Sequence, residues 1–271
     1  MLSKIKSYRM TKYVYLSVIS IIMAVSPVAG QIQLDLNKIS GDLLLATKMN
    51  QQKEIENAKA FLEGIEMDQL IKNLDTDDKK KAFWINVYNS YIIIKLAEDS
   101  TRYDNRGDFF SAKNITIANH DFSFDFIEHG ILRRSKVKLS LGFFGKLFPS
   151  KLERQLRVDK LDYRIHFALN CGAASCPPVA FYDADKIEEQ LAIAEASFVM
   201  DKSTYDKETN TVNTSALFSW FRGDFGRKRG IRKIIRKHLT IEEKRFALKF
   251  DKYDWGMDLE NFKNSQNEPV H

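Results

Sequence analysis

The chain has 271 residues, with 42 Lys and Arg against 36 Asp and Glu, a formal charge of +6. Four of those cations, Lys4, Lys6, Arg9 and Lys12, crowd the N-terminus, so the remainder is close to balanced and no nucleic-acid partner is indicated. With 19 Phe and 10 Tyr a packed core is easily filled, and no later stretch is apolar enough to span a membrane.

The cationic start is followed by an apolar run from Tyr13 to Val25 and by small residues at Ser26-Pro27-Val28-Ala29-Gly30. This is the three-part pattern of a secretory signal, and the apolar run is short for a membrane span. Residues 1–30 therefore read as a signal peptide cleaved near Gly30, and 31–271 as a single globular domain, periplasmic or extracellular, with no stable membrane span once the signal is removed.

Residues 36–74 read as helical, with Leu43, Leu44, Phe61, Ile65, Leu70 and Ile71 facing the core. The acidic run Asp75 to Asp78 is a helix start, and a helix should follow to about Glu98. Asn114 to Ile117 and Phe122 to Phe124 pattern as a hairpin turning at Asn119-His120-Asp121. Asp125 followed by Glu128 has the spacing of a capping box for a short helix over 126–134. Alternation over 163–171 predicts a strand, and 183–201 an amphipathic helix. A strand pair is predicted around Glu208-Thr209-Asn210, then a helix capped by Ser215. A basic helix near 228–239 and a last strand near 248–253 complete the chain. Helices at both ends with short strands between them define an α+β class, with helices around a small, mostly antiparallel sheet.

Four segments carry chemistry. In Ala82 to Tyr91, Asn86 and Asn89 share a helix face among aromatics, so both amides either tie a loop to the helix or line a cleft. In Phe126 to Arg133, Glu128, His129 and Arg133 crowd one short helix. In Arg164 to Pro178, His166 and Asn170 precede Cys171 and Cys176 across a loop of small residues, Gly172 to Ser175. Its smallness either leaves a cleft, making the loop one wall of the site, or lets another backbone pack closely. The two thiols form a disulfide, stay inert, or supply a nucleophile; their spacing matches no standard zinc pattern. Tyr253-Asp254-Trp255 closes the core. Trp84, Asn86, Asn89, Glu128 and His166 are expected to converge.

These four blocks, in this order over about 78–262, resemble the signature of the domain of unknown function 547 (DUF547) family. The residues after the last block, Gly256-Met257-Asp258, depart from the family pattern. The resemblance implies no settled activity. Two functions stay open. One is a cysteine-dependent hydrolase or acyl-transferase, with Cys176 or Cys171 as nucleophile, His166 as base, and Glu128 or Asn170 orienting it. A papain- or transglutaminase-like fold would be a loose analogy, and here both thiols follow the His. The other is a non-catalytic binding or scaffolding domain with a Cys171–Cys176 disulfide. Its binding residues would be Asn86, Asn89, His129, Arg133 and Asn170, and its ligand an unknown component of the envelope. Neither reading calls for a cofactor. The basic helix could also attract anionic lipid or polysaccharide, although such charges are usually a solvated face.

Overall fold

The computed structural model describes residues 34–243 and 245–262; the signal-peptide expectation falls outside them. The organising element is helix α4, Asp77–Glu98, buried along most of its length. Thr76 caps it by accepting from the Lys79 amide, and Asp77 and Asp78 lie in its first turn, where the helix dipole favours anions. Three helices lead up to it: α1, Leu36–Lys48, α2, Gln52–Gly64, and α3, Met67–Asn73. Of these α1 packs along α4 and buries Leu43 and Leu44. Leu62, not Phe61, turns inward from α2; Phe61 is exposed, and Ile71 is half-buried.

After α4 a 3-10 turn, Ser100–Asn105, runs into α5, Arg106–Ser111. The hairpin then forms from β1, Ile115–Ile117, and β2, His120–Phe122. Its turn is Ala118-Asn119, both at positive φ, so His120 and Asp121 sit in the second strand rather than the turn. Phe126–Leu132 is a π-helix. The expected capping box is absent, because Asp125 is itself helical and makes no cap; the Ser123 hydroxyl accepts from the Phe126 amide instead.

The predicted strand at 163–171 is not one. Asp162 accepts from the Arg164 amide, local bonds such as Ala168 to Ile165 follow, and Tyr163–Phe167 forms a 3-10 turn. Alternation alone cannot make a strand without a neighbour to pair with. Beyond short α6, Lys151–Leu156, the remaining long elements are α7, Ile187–Lys202, and α9, Arg227–His238. Strands β3, Ser203–Asp206, β4, Thr211–Thr214, and β5, Ala247–Phe250, make a sheet in the order β3-β4-β5. β3 and β4 pair antiparallel, whereas β4 and β5 run parallel. Between them lies α8, Leu217–Trp220, at whose start the Ser215 hydroxyl accepts from the Leu217 amide. Phe167, Phe198, Phe218, Phe225, Ile231 and Ile235 form the core of this second half. The α+β class holds, as one domain with two small sheets among the described residues. No helix among the described residues is long and apolar enough to cross a membrane.

Candidate functional site

A cavity of about 380 Å³ opens where the π-helix, the 3-10 turn and the α8–α9 segment meet. Its walls are largely apolar, from Leu169, Pro177, Leu217, Trp220 and Phe221. Glu128, His129 and His166 supply the polar part, with Asp125 and Lys138 paired at 2.7 Å beside them.

The π-helix places Glu128 and His129 in this wall and turns Arg133 into the interior, where its side chain is fully buried. Arg133 Nη1 lies 2.9 Å from His129 Nδ1. A guanidinium can only donate, so Nδ1 accepts and the ring proton is assigned to Nε2, which faces Asp125 Oδ1 at 3.6 Å. Burial, reinforced by the Arg133 charge, lowers the His129 pKa and keeps the ring neutral. Burial raises Glu128 to about 7 against the opposing pull of Arg133, so this carboxyl exchanges its proton near neutrality. Its Oε1 lies 3.4 Å from His129 Nδ1.

Asp224 organises the second half. Its Oδ2 accepts from Arg133 Nε at 2.7 Å and from His166 Nε2 at 2.9 Å. Burial opposes its ionisation, but those two donors outweigh burial and hold the carboxyl below its usual pKa. Burial lowers His166 to about 4 despite Asp224, so the ring is neutral with Nδ1 as its acceptor. Phe221 stacks on His166 at 3.9 Å and lies under the Arg133 guanidinium at 4.6 Å. Sequence reading missed Asp224, Phe221 and Trp220 altogether. The signal available was Gly223 and Gly226 bracketing Asp224-Phe225. Gly223 is needed because its backbone meets Gly142 too closely for a side chain.

Cys171 and Cys176 form a disulfide. Tyr253 Oη touches both sulfurs, Cys176 Sγ at 3.2 Å and Cys171 Sγ at 3.6 Å, and Trp220 and Trp255 pack on the Tyr253 ring. Cys171 lines the cavity, whereas Cys176 is buried behind it. The loop Gly172 to Ser175 is not a cavity wall. It packs backbone to backbone against 254–258: Ala174 and Ser175 amides donate to Gly256 and Asp254, and Asp258 donates to Gly172. Ala173 is fully buried there, pairing with Met257. The small side chains thus serve close packing.

The expected convergence is partial. Glu128, His129, His166 and Cys171 share the cavity, joined from α4 by Tyr88. Asn86 holds the Tyr182 backbone through both amide atoms, at 2.8 and 3.0 Å. Asn89 likewise spans the Ala168 carbonyl and the Asn170 amide. Asn170 itself bridges Gly172 and Pro177. Asn89, Asn170 and Arg133 lie outside the cavity wall and hold the residues that form it, whereas Asn86 holds Tyr182 away from this cavity and Trp84 is buried against Phe83 and Phe122. A second cavity, about 500 Å³, lies between α1 and Phe181–Asp183 and contains none of the residues singled out from sequence. Among the described residues no three His, Cys, Asp or Glu side chains come together to hold a metal ion.

Fold and site define an α+β domain with a disulfide-braced, largely apolar cavity that holds a carboxyl titrating near neutrality. Residues 71–199 match the model of the family described as "Protein of unknown function, DUF547", and the chain carries a domain of that family. The matched stretch includes α4, the π-helix and the disulfide loop; Asp224 and the aromatic wall at Trp220, Phe221, Tyr253 and Trp255 lie beyond it. No curated protein and no solved structure matches the chain.

Proposed function

We propose that this chain is exported to the cell envelope and works there as a ligand-binding domain, with the cavity at Glu128, His129 and His166 as its site. The observation that carries this reading is the Cys171–Cys176 disulfide. It takes up both thiols, braces Tyr253 against the cavity wall, and fits the oxidising compartment to which the N-terminal pattern points. The ligand has an apolar body matched to Leu169, Leu217 and Trp220, and a polar end that reaches Glu128 and His166.

One observation favours the alternative, a thiol-dependent hydrolase or acyl-transferase. Cys171 and His166 line the same cavity, and Asp224 orients the imidazole as a base needs. That chemistry requires the disulfide to be reduced, because only a thiolate is nucleophilic. Alkylation of the protein recovered without reductant, followed by mass spectrometry, separates the two. An intact Cys171–Cys176 cross-link and a chain starting near Gln31 support the exported binding domain. Two alkylated thiols, one reacting much faster, support the thiol enzyme, and an intact Met1 removes the export assignment.

A further inference from the structure

The segment between the π-helix and α6 has a surface unlike the rest of the molecule. Of eleven large hydrophobic side chains exposed among the described residues, seven fall between Val137 and Phe148. Leu139 is 88% exposed, Phe144 71%, Leu147 87% and Phe148 93%. Isolated exposed apolar residues are ordinary, but a cluster of this kind marks a contact surface.

The same segment is purely cationic. From Arg134 to Lys151 there are five basic residues and no acidic one. Lys138 and Lys146 are paired, with Asp125 and Glu153, and both remain more than a third exposed. Across a close backbone contact the start of α9 adds Arg227, whose guanidinium lies 5.5 Å over the Phe143 ring, followed by exposed Lys228 and Arg229. The segment is also pre-shaped. Val137 donates to the Phe144 carbonyl, Lys146 to Ser135, and Gly223 to Leu141, so its apolar side chains are held outward by bonded backbone.

We infer that residues 137–148, with the N-terminal end of α9, form a docking surface for an anionic phospholipid bilayer. Exposed Leu and Phe enter the headgroup–acyl boundary while Lys and Arg stay at headgroup level, their aliphatic stems lying along the apolar surface. The excess of cations matches an anionic leaflet, which attracts each Lys or Arg held near its surface. Beyond the paired Lys138 and Lys146, the surface still presents exposed Arg134, Lys151, Lys228 and Arg229, an excess of charge that a protein partner chosen for apolarity alone would not call for. The inference stands on this surface alone and does not depend on what the cavity binds. Because Lys138, Leu139 and Leu141 belong to both, docking would set the cavity rim against the headgroups.

The test uses the full chain with Phe148→Trp, mixed with vesicles of phosphatidylcholine alone or with phosphatidylglycerol, some carrying brominated acyl chains. The protein with native Phe148 serves as the background for its own tryptophans. The expected result is a blue-shifted emission from the introduced tryptophan, quenched by brominated lipid, only when phosphatidylglycerol is present and weakened by salt. Replacing Leu139, Phe144, Leu147 and Phe148 by Ser should cut partitioning at least about tenfold while leaving thermal unfolding unchanged. Three results would overturn the proposal: an unquenched introduced tryptophan although the chain sediments with vesicles, which places binding in the N-terminal segment; equal binding by the four-Ser variant; or no vesicle binding together with a dimer that the four-Ser variant dissolves, which makes the surface an interface between copies.

Discussion

Glu128 and His166 respond to the same burial in opposite senses. Glu128 is raised to about 7, so the folded state holds a proton that the unfolded chain gives up, and its contribution to stability falls as pH rises from about 4.5 to 7. His166 is lowered to about 4, so its contribution is present above pH 6.5 and is lost as pH falls towards 4. Glu128→Gln removes only the first effect. It should stabilise the protein by roughly 1–3 kcal/mol at pH 8 and by much less at pH 5. Urea unfolding at the two pH values checks this, and an equal gain at both would mean the carboxyl is not shifted. Asp224 is the other critical residue, since it is the carboxylate partner of fully buried Arg133. Asp224→Asn leaves that cation uncompensated and should cost about 3–5 kcal/mol. A loss under about 1 kcal/mol in the same unfolding assay would deny Asp224 its organising role.

At the scale of elements, the π-helix and the disulfide loop do the positioning. A regular α-helix would have followed from a capping box, but Asp125 is helical and the Arg133 amide bonds the Glu128 carbonyl, five residues back. This wider turn is the kind of distortion often found at functional sites. The disulfide closes a loop of five-residue separation, so replacing Cys171 and Cys176 together by Ser should cost about 2 kcal/mol. The loop between them is set by fit. Gly172 has φ +87°, and a Cβ there would come within 2.8 Å of Leu96, while Ala173 is sealed against Met257. Ala173→Leu should therefore destabilise by roughly 1–3 kcal/mol through overpacking. It should also free Tyr253 and Trp255, read as a red shift of tryptophan emission before the main unfolding transition. Unchanged emission and stability would return the loop to the status of a tolerant surface segment.

At the scale of the molecule, the cavity is assembled from segments far apart in the chain: Tyr88 on α4, the π-helix, the 163–171 segment, α8 with Phe221, and Tyr253 with Trp255. α4 is a central support, since it supplies Tyr88 to the wall and its Asn89 holds the backbones of Ala168 and Asn170, on either side of the wall residue Leu169. If the cavity is the binding site, filling it should abolish binding without unfolding the domain. Leu217→Trp is the substitution of choice, because Leu217 lies on the wall and makes no polar contact with its side chain. Fluorescence of anilinonaphthalene sulfonate, measured on the wild type, on Leu217→Trp and on a variant with Ser in place of Phe144, Leu147 and Phe148, none of which lines the cavity, separates dye in the cavity from dye on the exposed loop.

The sequence by itself determined the domain family of residues 71–199, the α+β class and the longer helices, because periodicity and caps are local: Thr76 with Asp77 and Asp78 starts α4. It also marked the blocks that bring Glu128, His129, His166 and Cys171 to one cavity. Only the tertiary structure decided how those blocks are built and used. The alternating segment 163–171 opened with a 3-10 turn, Tyr163–Phe167, because no strand among the described residues lies beside it to take the backbone bonds. Cys171 and Cys176 became a brace against Tyr253, a residue 82 positions from Cys171. Asp224 became the partner of Arg133, 91 positions away, because a buried guanidinium demands a carboxylate and the fold brings this one within hydrogen-bond distance. The exposure of Leu139, Leu147 and Phe148 was equally illegible, since apolar residues in a sequence read as core until the fold leaves nothing packed against them.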